Sequence, residues 1–412
     1  MTHPIDPPRA QAAGFSSSRL ERLSDMFRAD CAAGTIPGAV ILILRRDELA
    51  YHEAFGYSNR RTMLPMQRDC IFRIASMTKP VTVVAALLLL EQGKLLLADP
   101  VSKYIPQFGA LEVGVESTDP ASGERRLGLE GLVRPVTVHD LMRHTAGLTY
   151  GQFGDSLVQR AYRRAQVMDD QQTNAEMVDK LAQLPLAYQP GGTFEYGMST
   201  DVLGRIVEIV SGSTLERFFA EHITGPLGMH DTGFGIDARA ADRLAEPLRE
   251  APAATPPALA PYHPAKPAKW FSGGGGLLST AADYGRFAQM LMNGGQHAGT
   301  ALLARKTVQL MLSDHLPPNL AYGPLTAELG LAAPLPRLGQ GYGLGLGVRL
   351  EPGLAPVPGS VGDFYWGGAL GTYFWVDPAE GLVVVLMLQE LNVQRRTRYR
   401  ALLRGLVYQA LQ

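Results

Sequence analysis

The chain has 412 residues, with 38 Lys plus Arg against 39 Asp plus Glu and a formal net charge of −1. Its 46% hydrophobic and 19% charged content is that of an ordinary globular protein with enough apolar side chain for a sizeable core. The near-cancelling charge, without a long basic run, argues against nucleic acid or an anionic membrane as the main partner and favours small neutral substrates.

Residues 1–8 lack the basic and apolar regions of a signal peptide, and Cys31 and Cys70 form neither a CxxC pair nor a disulfide framework. Both features lead to the expectation of a soluble, unexported, cytoplasmic protein. Leu20, Leu23, Met26 and Phe27 recur at helical spacing over 17–33, and Gly34-Thr35-Ile36-Pro37-Gly38 ends the pattern. A strand pair follows, 39–44 and 49–57, around the polar turn Arg45-Arg46-Asp47-Glu48. Residues 71–75 read as a short extended piece, and the apolar run 81–90 as a helix too short to span a bilayer. Helical patterns continue over 136–144, 174–184, 199–211, 214–222, 281–292 and 305–312, while 251–269, dense in Ala and Pro, reads as an extended surface loop. Strand signal returns at 345–350, 372–376 and 382–388, and 394–411 reads as a closing helix. Strands at both ends around a helical middle imply an α/β (α+β) fold: a discontinuous α/β domain of residues 10–75 plus 335–412, with a mostly helical domain, 76–334, inserted.

The chemistry is concentrated at Ser76-Met77-Thr78-Lys79, where a hydroxyl and a primary amine stand three residues apart at the start of a helix. That spacing puts both on one helical face, and Pro80 is tolerable only in the first turn, so Ser76 lies at the helix N-terminus, where free amides favour an anion. An S-x-x-K match alone is weak. Two further segments join it. In Gly191-Gly192-Thr193-Phe194-Glu195-Tyr196 a turn presents Tyr196 before a helix, a candidate base because a nearby ammonium favours the phenolate. In Tyr365-Trp366-Gly367-Gly368-Ala369, successive glycines let a backbone approach a ligand closely.

With these three segments in order, the chain resembles the serine β-lactamase and DD-peptidase fold and, within it, the family VIII carboxylesterases. The resemblance extends through His144-Thr145-Ala146-Gly147-Leu148, Asp201-Val202-Leu203-Gly204, Pro226-Leu227-Gly228-Met229 and the glycine run 273–276. It implies an antiparallel sheet flanked by helices with the active site between the two domains. It further implies Ser76 as acylated nucleophile, Lys79 and Tyr196 as the pair that removes its proton, and the backbone amides of Ser76 and Ala369 as the oxyanion hole. Met198 stands where β-lactamases carry Asn, and Trp366 where they carry a lysine that attracts a substrate carboxylate. An apolar substrate pocket of Trp366, Gly367, Gly368 and Met198 is therefore expected, suited to esters of short to medium acyl chains. β-Lactamase or D-Ala-D-Ala peptidase activity and acyl transfer to an alcohol, as in the fungal acyltransferase of statin biosynthesis, are the alternatives. A silent ligand-binding relative is the reading from another class.

No cofactor is implied and no metal: His139, His144 and Asp140 lack a recognisable ligand spacing and read as structural. The glycine run 273–276 lacks a following Gly-Lys-Ser/Thr and reads as a structural or pocket-rim loop. Without G-x-S-x-G an α/β-hydrolase elbow is not expected. Arg395, Arg396, Arg398, Arg400 and Arg404 read as a solvated face of the closing helix.

Overall fold

Two apolar runs from opposite ends of the chain meet in the middle of one sheet. A computed structural model describes residues 7–152, 154–248 and 268–412. Its main sheet has eight strands: β1 (Gly38–Arg45), β2 (Glu48–Asn59), β3 (Leu64–Pro65), β4 (Gln340–Tyr342), β5 (Gly347–Arg349), β6 (Phe364–Gly367), β7 (Tyr373–Asp377) and β8 (Leu382–Leu388). Their spatial order is β4-β5-β6-β7-β8-β1-β2-β3, with every neighbouring pair antiparallel. At the centre β1 and β8 are buried throughout, in register from Ala39 opposite Leu388 to Arg45 opposite Leu382. A strand covered on both faces needs apolar residues at every position, which is why these two read as unbroken runs.

Alternation sends Ile41, Ile43, Tyr365, Trp375 and Val384 to one face and Val40, Leu42, Trp366, Phe374 and Val385 to the other. The first face is covered by terminal helices α1 (Ser17–Ala32) and α5 (Val393–Tyr408), whose Phe27 and Tyr399 rings meet at 5.7 Å. The second packs into one core with α2 (Thr78–Glu91), α3 (Ser199–Ser211) and α4 (Ala281–Met292). Each fully buried Leu, Ile, Val or Phe contributes about 1.5–3 kcal/mol of transfer free energy. In α4, a Cβ on Gly285 would stand 2.5 Å from Leu42 Cδ2, so glycine is what lets this helix approach β1.

Some elements differ from expectation. The region read as helical contains a hairpin, Glu112–Thr118 with Arg125–Gly131, and a helix, Leu157–Arg164, closed by a capping box between Ser156 and Gln159. Every residue of Arg125–Gly131 is exposed, so little core pattern marked it. The strand expected at 345–350 shrinks to Gly347–Arg349, because Gly345, at φ +81°, turns the chain before it. The proposed loop 251–269 lies almost wholly outside the described residues. No helix among the described residues is long and apolar enough to cross a membrane.

The arginines of α5 are a correction. Arg398 is exposed, but Arg404 is 2% exposed and Arg395, Arg396 and Arg400 are half-buried, because the helix turns them toward polar backbone and carboxylates at the ends of β6, β7 and β8. Arg404 Nη1 reaches Asp363 Oδ2 at 2.8 Å, and Arg349 Nε reaches the same oxygen at 2.9 Å. All three groups are buried. Removing the shared carboxylate would leave two guanidinium groups without compensation, so Asp363→Ala is expected to lose about 3–5 kcal/mol in urea unfolding. A loss no larger than that of Asp25→Ala, whose side chain is 69% exposed, would show the triad to be unimportant.

Candidate active site

Ser76 lies in a single 3₁₀ turn, Ala75–Met77, that runs directly into α2, and Pro80 occupies the first turn of that helix, the place where its missing N–H costs nothing. Ala75 has φ +46°, a strained conformation for a residue with a Cβ. The surroundings hold it there from two layers. From the sheet, Thr372 Oγ1 donates to the Ile74 carbonyl and Gln389 Nε2 to the Arg73 carbonyl, both at 3.1 Å. From the helical side, Tyr284 OH donates to the Met77 carbonyl at 2.9 Å, and the Leu277 amide donates to Thr78 Oγ1 at 3.1 Å.

Lys79, with no exposed surface, donates to Ser76 Oγ at 3.3 Å, to Tyr150 OH at 2.9 Å and to the Gly274 carbonyl at 2.7 Å. Three acceptors match the three N–H donors of an ammonium. The nitrogen also stands 4.6 Å from the Tyr196 ring centre and 5.5 Å from that of Tyr150. Tyr196 OH accepts from Trp366 Nε1 at 3.1 Å. Gly274 is oriented by Asp201 of α3, whose Oδ1 accepts its amide at 3.0 Å and also the Ser272 hydroxyl. A Cβ on Gly274 would lie 2.3 Å from Asp201 Oδ2, so the glycine run serves close packing against α3.

The charges nearby follow from burial. Burial, then the Lys79 charge, push the His144 imidazole well below its ordinary value, so it is neutral; the ring packs 4.6 Å from that of Tyr196, with Thr200 Oγ1 at 3.3 Å from Nε2. Burial raises the Asp201 carboxyl, and Lys79 opposes that rise. The Tyr150 phenol is pushed well above its ordinary value by burial and stays neutral. The Glu195 carboxyl, 1% exposed, is raised by burial to about 7, with Thr149 Oγ1 donating to Oε1 at 2.8 Å and no partner for Oε2 among the described residues.

The expected residues are brought together unequally. Ser76, Lys79, Tyr196 and Trp366 form a continuous chain of contacts. Gly367 ends β6, and Gly368 and Ala369 follow it beside the Ser76 turn, where a Cβ on Gly368 would lie 2.4 Å from the Ile74 carbonyl. Met198 and Trp366 are 0% and 1% exposed, so they pack beneath the site and line no open wall. The partly exposed groups are Ser76, Tyr150, Gly275, Gly367 and Ala369. Sequence reasoning missed Tyr150. Its signal is a tyrosine enclosed by Gly147 and Gly151, at φ +82° and +76°, a tight turn like the one that presents Tyr196. His139 faces His315 at 2.9 Å between ring nitrogens, and Asp140 takes Arg134 and Arg143; no group of three or more His, Cys, Asp or Glu among the described residues could hold a metal ion.

Comparison with known proteins adds a family model described as Beta-lactamase, which matches residues 23–409. A lovastatin esterase of Penicillium rubens is 31% identical over 395 residues, covering 88% of this chain and 91% of that one. Esterase EstB of Burkholderia gladioli is 29% identical over 393 residues, covering 90% and 91%. Among solved structures, EstCE1, described as a hydrolase with promiscuous acyltransferase activity, superposes with a TM-score of 0.76 at 28% identity, covering 97% of this chain and 99% of that one.

Glu195 generates a prediction about stability. Its folded value lies above the unfolded one, so the neutral form is favoured on folding and stability falls as pH rises from about 4.5 to about 7, then levels off. The shift corresponds to a loss on the order of 3 kcal/mol. Denaturant unfolding at about pH 5 and about pH 8 should show that loss in the parent and not in Glu195→Gln. An identical pH dependence in both would assign the effect elsewhere.

Proposed function

The chain belongs to the beta-lactamase family, and from that premise we propose that it is a serine ester hydrolase in which Ser76 is acylated, Lys79 and Tyr196 move its proton, and the amides of Ser76 and Ala369 hold the oxyanion. One observation carries the reading: the buried Lys79 amine donates to Ser76 Oγ at 3.3 Å while standing 4.6 Å from the Tyr196 ring centre. A serine hydroxyl is a weak nucleophile until a neighbour takes its proton, and this pair is the neighbour.

Ser76 Oγ attacks the ester carbonyl as its proton passes to the Lys79–Tyr196 pair. The pair takes that proton in its once-deprotonated form, Tyr196 as phenolate beside the Lys79 ammonium with the Trp366 N–H donating to its oxygen, and the transfer returns Tyr196 to the phenol. The two amides stabilise the tetrahedral oxyanion. When the bond to the alcohol oxygen breaks, the pair returns the proton to the leaving alkoxide, and acyl-Ser76 remains. Water, deprotonated by the same pair, attacks the acyl carbonyl, releases the acid and restores Ser76. An alcohol in place of that water gives acyl transfer, the second reading, supported by the activity that EstCE1's description carries.

Esters of short to medium acyl chains without a carboxylate fit the site best. Trp366 stands where the strand motif of β-lactamases has a lysine, and its one N–H is engaged by Tyr196. Cytoplasmic residence belongs to the same reading, supported by the free thiols Cys31 and Cys70.

Two measurements test this. A serine-directed fluorophosphonate should add one label, mapped by peptide mass to Ser76, and Ser76→Ala should be inactive; a label elsewhere with Ser76→Ala fully active sinks the assignment. Second, p-nitrophenyl butyrate should be turned over at least ~100-fold more efficiently than benzylpenicillin, because Trp366 stands in place of the lysine that attracts the carboxylate in β-lactamases, and the penicillin carboxylate would be desolvated without that countercharge. That ratio equals about 2.7 kcal/mol in differential transition-state binding. Equal kcat/KM values would mean that another cation receives the carboxylate.

A further inference from the structure

The segment that follows β6 is held from behind by α5. Arg400 Nη2 donates to the Gly368 carbonyl at 2.6 Å and to the Thr372 carbonyl at 3.0 Å, and Arg396 Nη1 donates to the Ala369 carbonyl. Across a trans peptide the carbonyl of one residue and the N–H of the next point in opposite directions. Fixing the Gly368 carbonyl toward α5 therefore turns the Ala369 N–H away from α5, the helix on the far face of the sheet from α2. That N–H makes no hydrogen bond among the described residues, and Ala369 is partly exposed.

Two further observations mark Arg400 as more than packing. First, a Cβ on Gly367 would lie 2.7 Å from Arg400 Cζ, so the glycine lets the guanidinium lie directly against the strand end, and a side chain there would have to displace it. Second, the charge has no counterion. Arg349 and Arg404 share Asp363, and Arg395 pairs with Glu390, but Arg400 makes no ion pair among the described residues: it is held by two carbonyls and by the Tyr373 ring, whose centre lies 5.5 Å from Cζ. Burial, and then Arg396, push its guanidinium down to about 10, which leaves it a cation at neutral pH. A half-buried cation without a carboxylate is costly for stability. Its location explains why it is tolerated: negative charge develops on the other side of the same peptide during acyl transfer.

We propose that Arg400, assisted by Arg396, is a positioning residue for the oxyanion hole, orienting the Gly368–Ala369 peptide so that its N–H meets the oxyanion formed at Ser76. Thr372 completes the device. Its carbonyl is taken by Arg400 while its Oγ1 donates to the Ile74 carbonyl at 3.1 Å, which ties this segment to the nucleophile turn. The inference rests on Ser76 as the nucleophile.

The test compares Arg400→Met, Arg400→Lys and Arg396→Ala with the parent and with Arg398→Ala, an exposed position on the same helix. With p-nitrophenyl butyrate, Arg400→Met should lose about 10²-fold in kcat, the order measured for one oxyanion donor, with KM nearly unchanged. The inhibition constant of phenylboronic acid, whose serine adduct carries the tetrahedral anion, should rise by the same factor. Arg400→Lys, which keeps the charge and a donor, should lose less. If Arg400→Met does not fold, Arg396→Ala carries the same readout with a smaller loss, and Arg398→Ala should match the parent. Folded Arg400 and Arg396 variants with parental kcat and boronate inhibition, or with losses confined to KM, overturn the proposal. Activity in Ser76→Ala is a separate outcome that removes the nucleophile reading itself.

Discussion

A primary ammonium without exposed surface is the constraint around which the site is built. A charge removed from water has to be resolvated by protein dipoles, and Lys79 receives three: a serine, a tyrosine and a backbone carbonyl. Each must itself be held. The Gly274 carbonyl depends on Asp201, which grips the amide of the same residue, and that grip requires a glycine run narrow enough to lie against α3. A lysine so confined has little freedom to move away from Ser76.

The turn that carries Ser76 joins two layers that the chain lays down far apart in sequence. Its carbonyls at Arg73 and Ile74 are held by Gln389 and Thr372 from the C-terminal strands, and its exit into α2 by Tyr284 of α4 and the Leu277 amide. The strained φ of Ala75 persists because it is over-determined from both sides. The same arrangement places the amides of Ser76 and Ala369 under one set of restraints, which tie the end of β6 to the helix start.

Aromatic rings fill the space between these restraints. Tyr196 lies among His144, Tyr150 and Trp366 at centroid separations of 4.6, 5.8 and 5.5 Å. They exclude water from the Lys79 side of the site and strengthen each electrostatic contact there. His144 is neutral in this setting and works as a packed ring that accepts the Gly197 amide. Partial exposure returns at Ser76, Tyr150, Gly275, Gly367 and Ala369.

How much could be read beforehand divides along the range of the forces involved. The Ser76–Lys79 spacing, Pro80 in the first helical turn, the buried runs of β1 and β8 and the glycine-bounded turn before Tyr196 are local, because helix and strand geometry act over a few residues. Those features were legible, and so was the broad order of strands, helices and strands. The solvated face expected for the arginines of α5 was wrong, because periodicity places a residue on a face without saying what that face meets. Tyr150 reaches Lys79 across 71 residues and Trp366 reaches Tyr196 across 170, and no local rule pairs them. Met198 and Trp366 were read as pocket lining from their positions in motifs, yet depth below a surface depends on how layers pack. The sequence by itself therefore determined the fold class and the local geometry of the Ser76–Lys79 and Tyr196 motifs. Only the tertiary structure decided which groups hold those side chains, because those contacts exist only once the sheet and helices close around a charge that water has left.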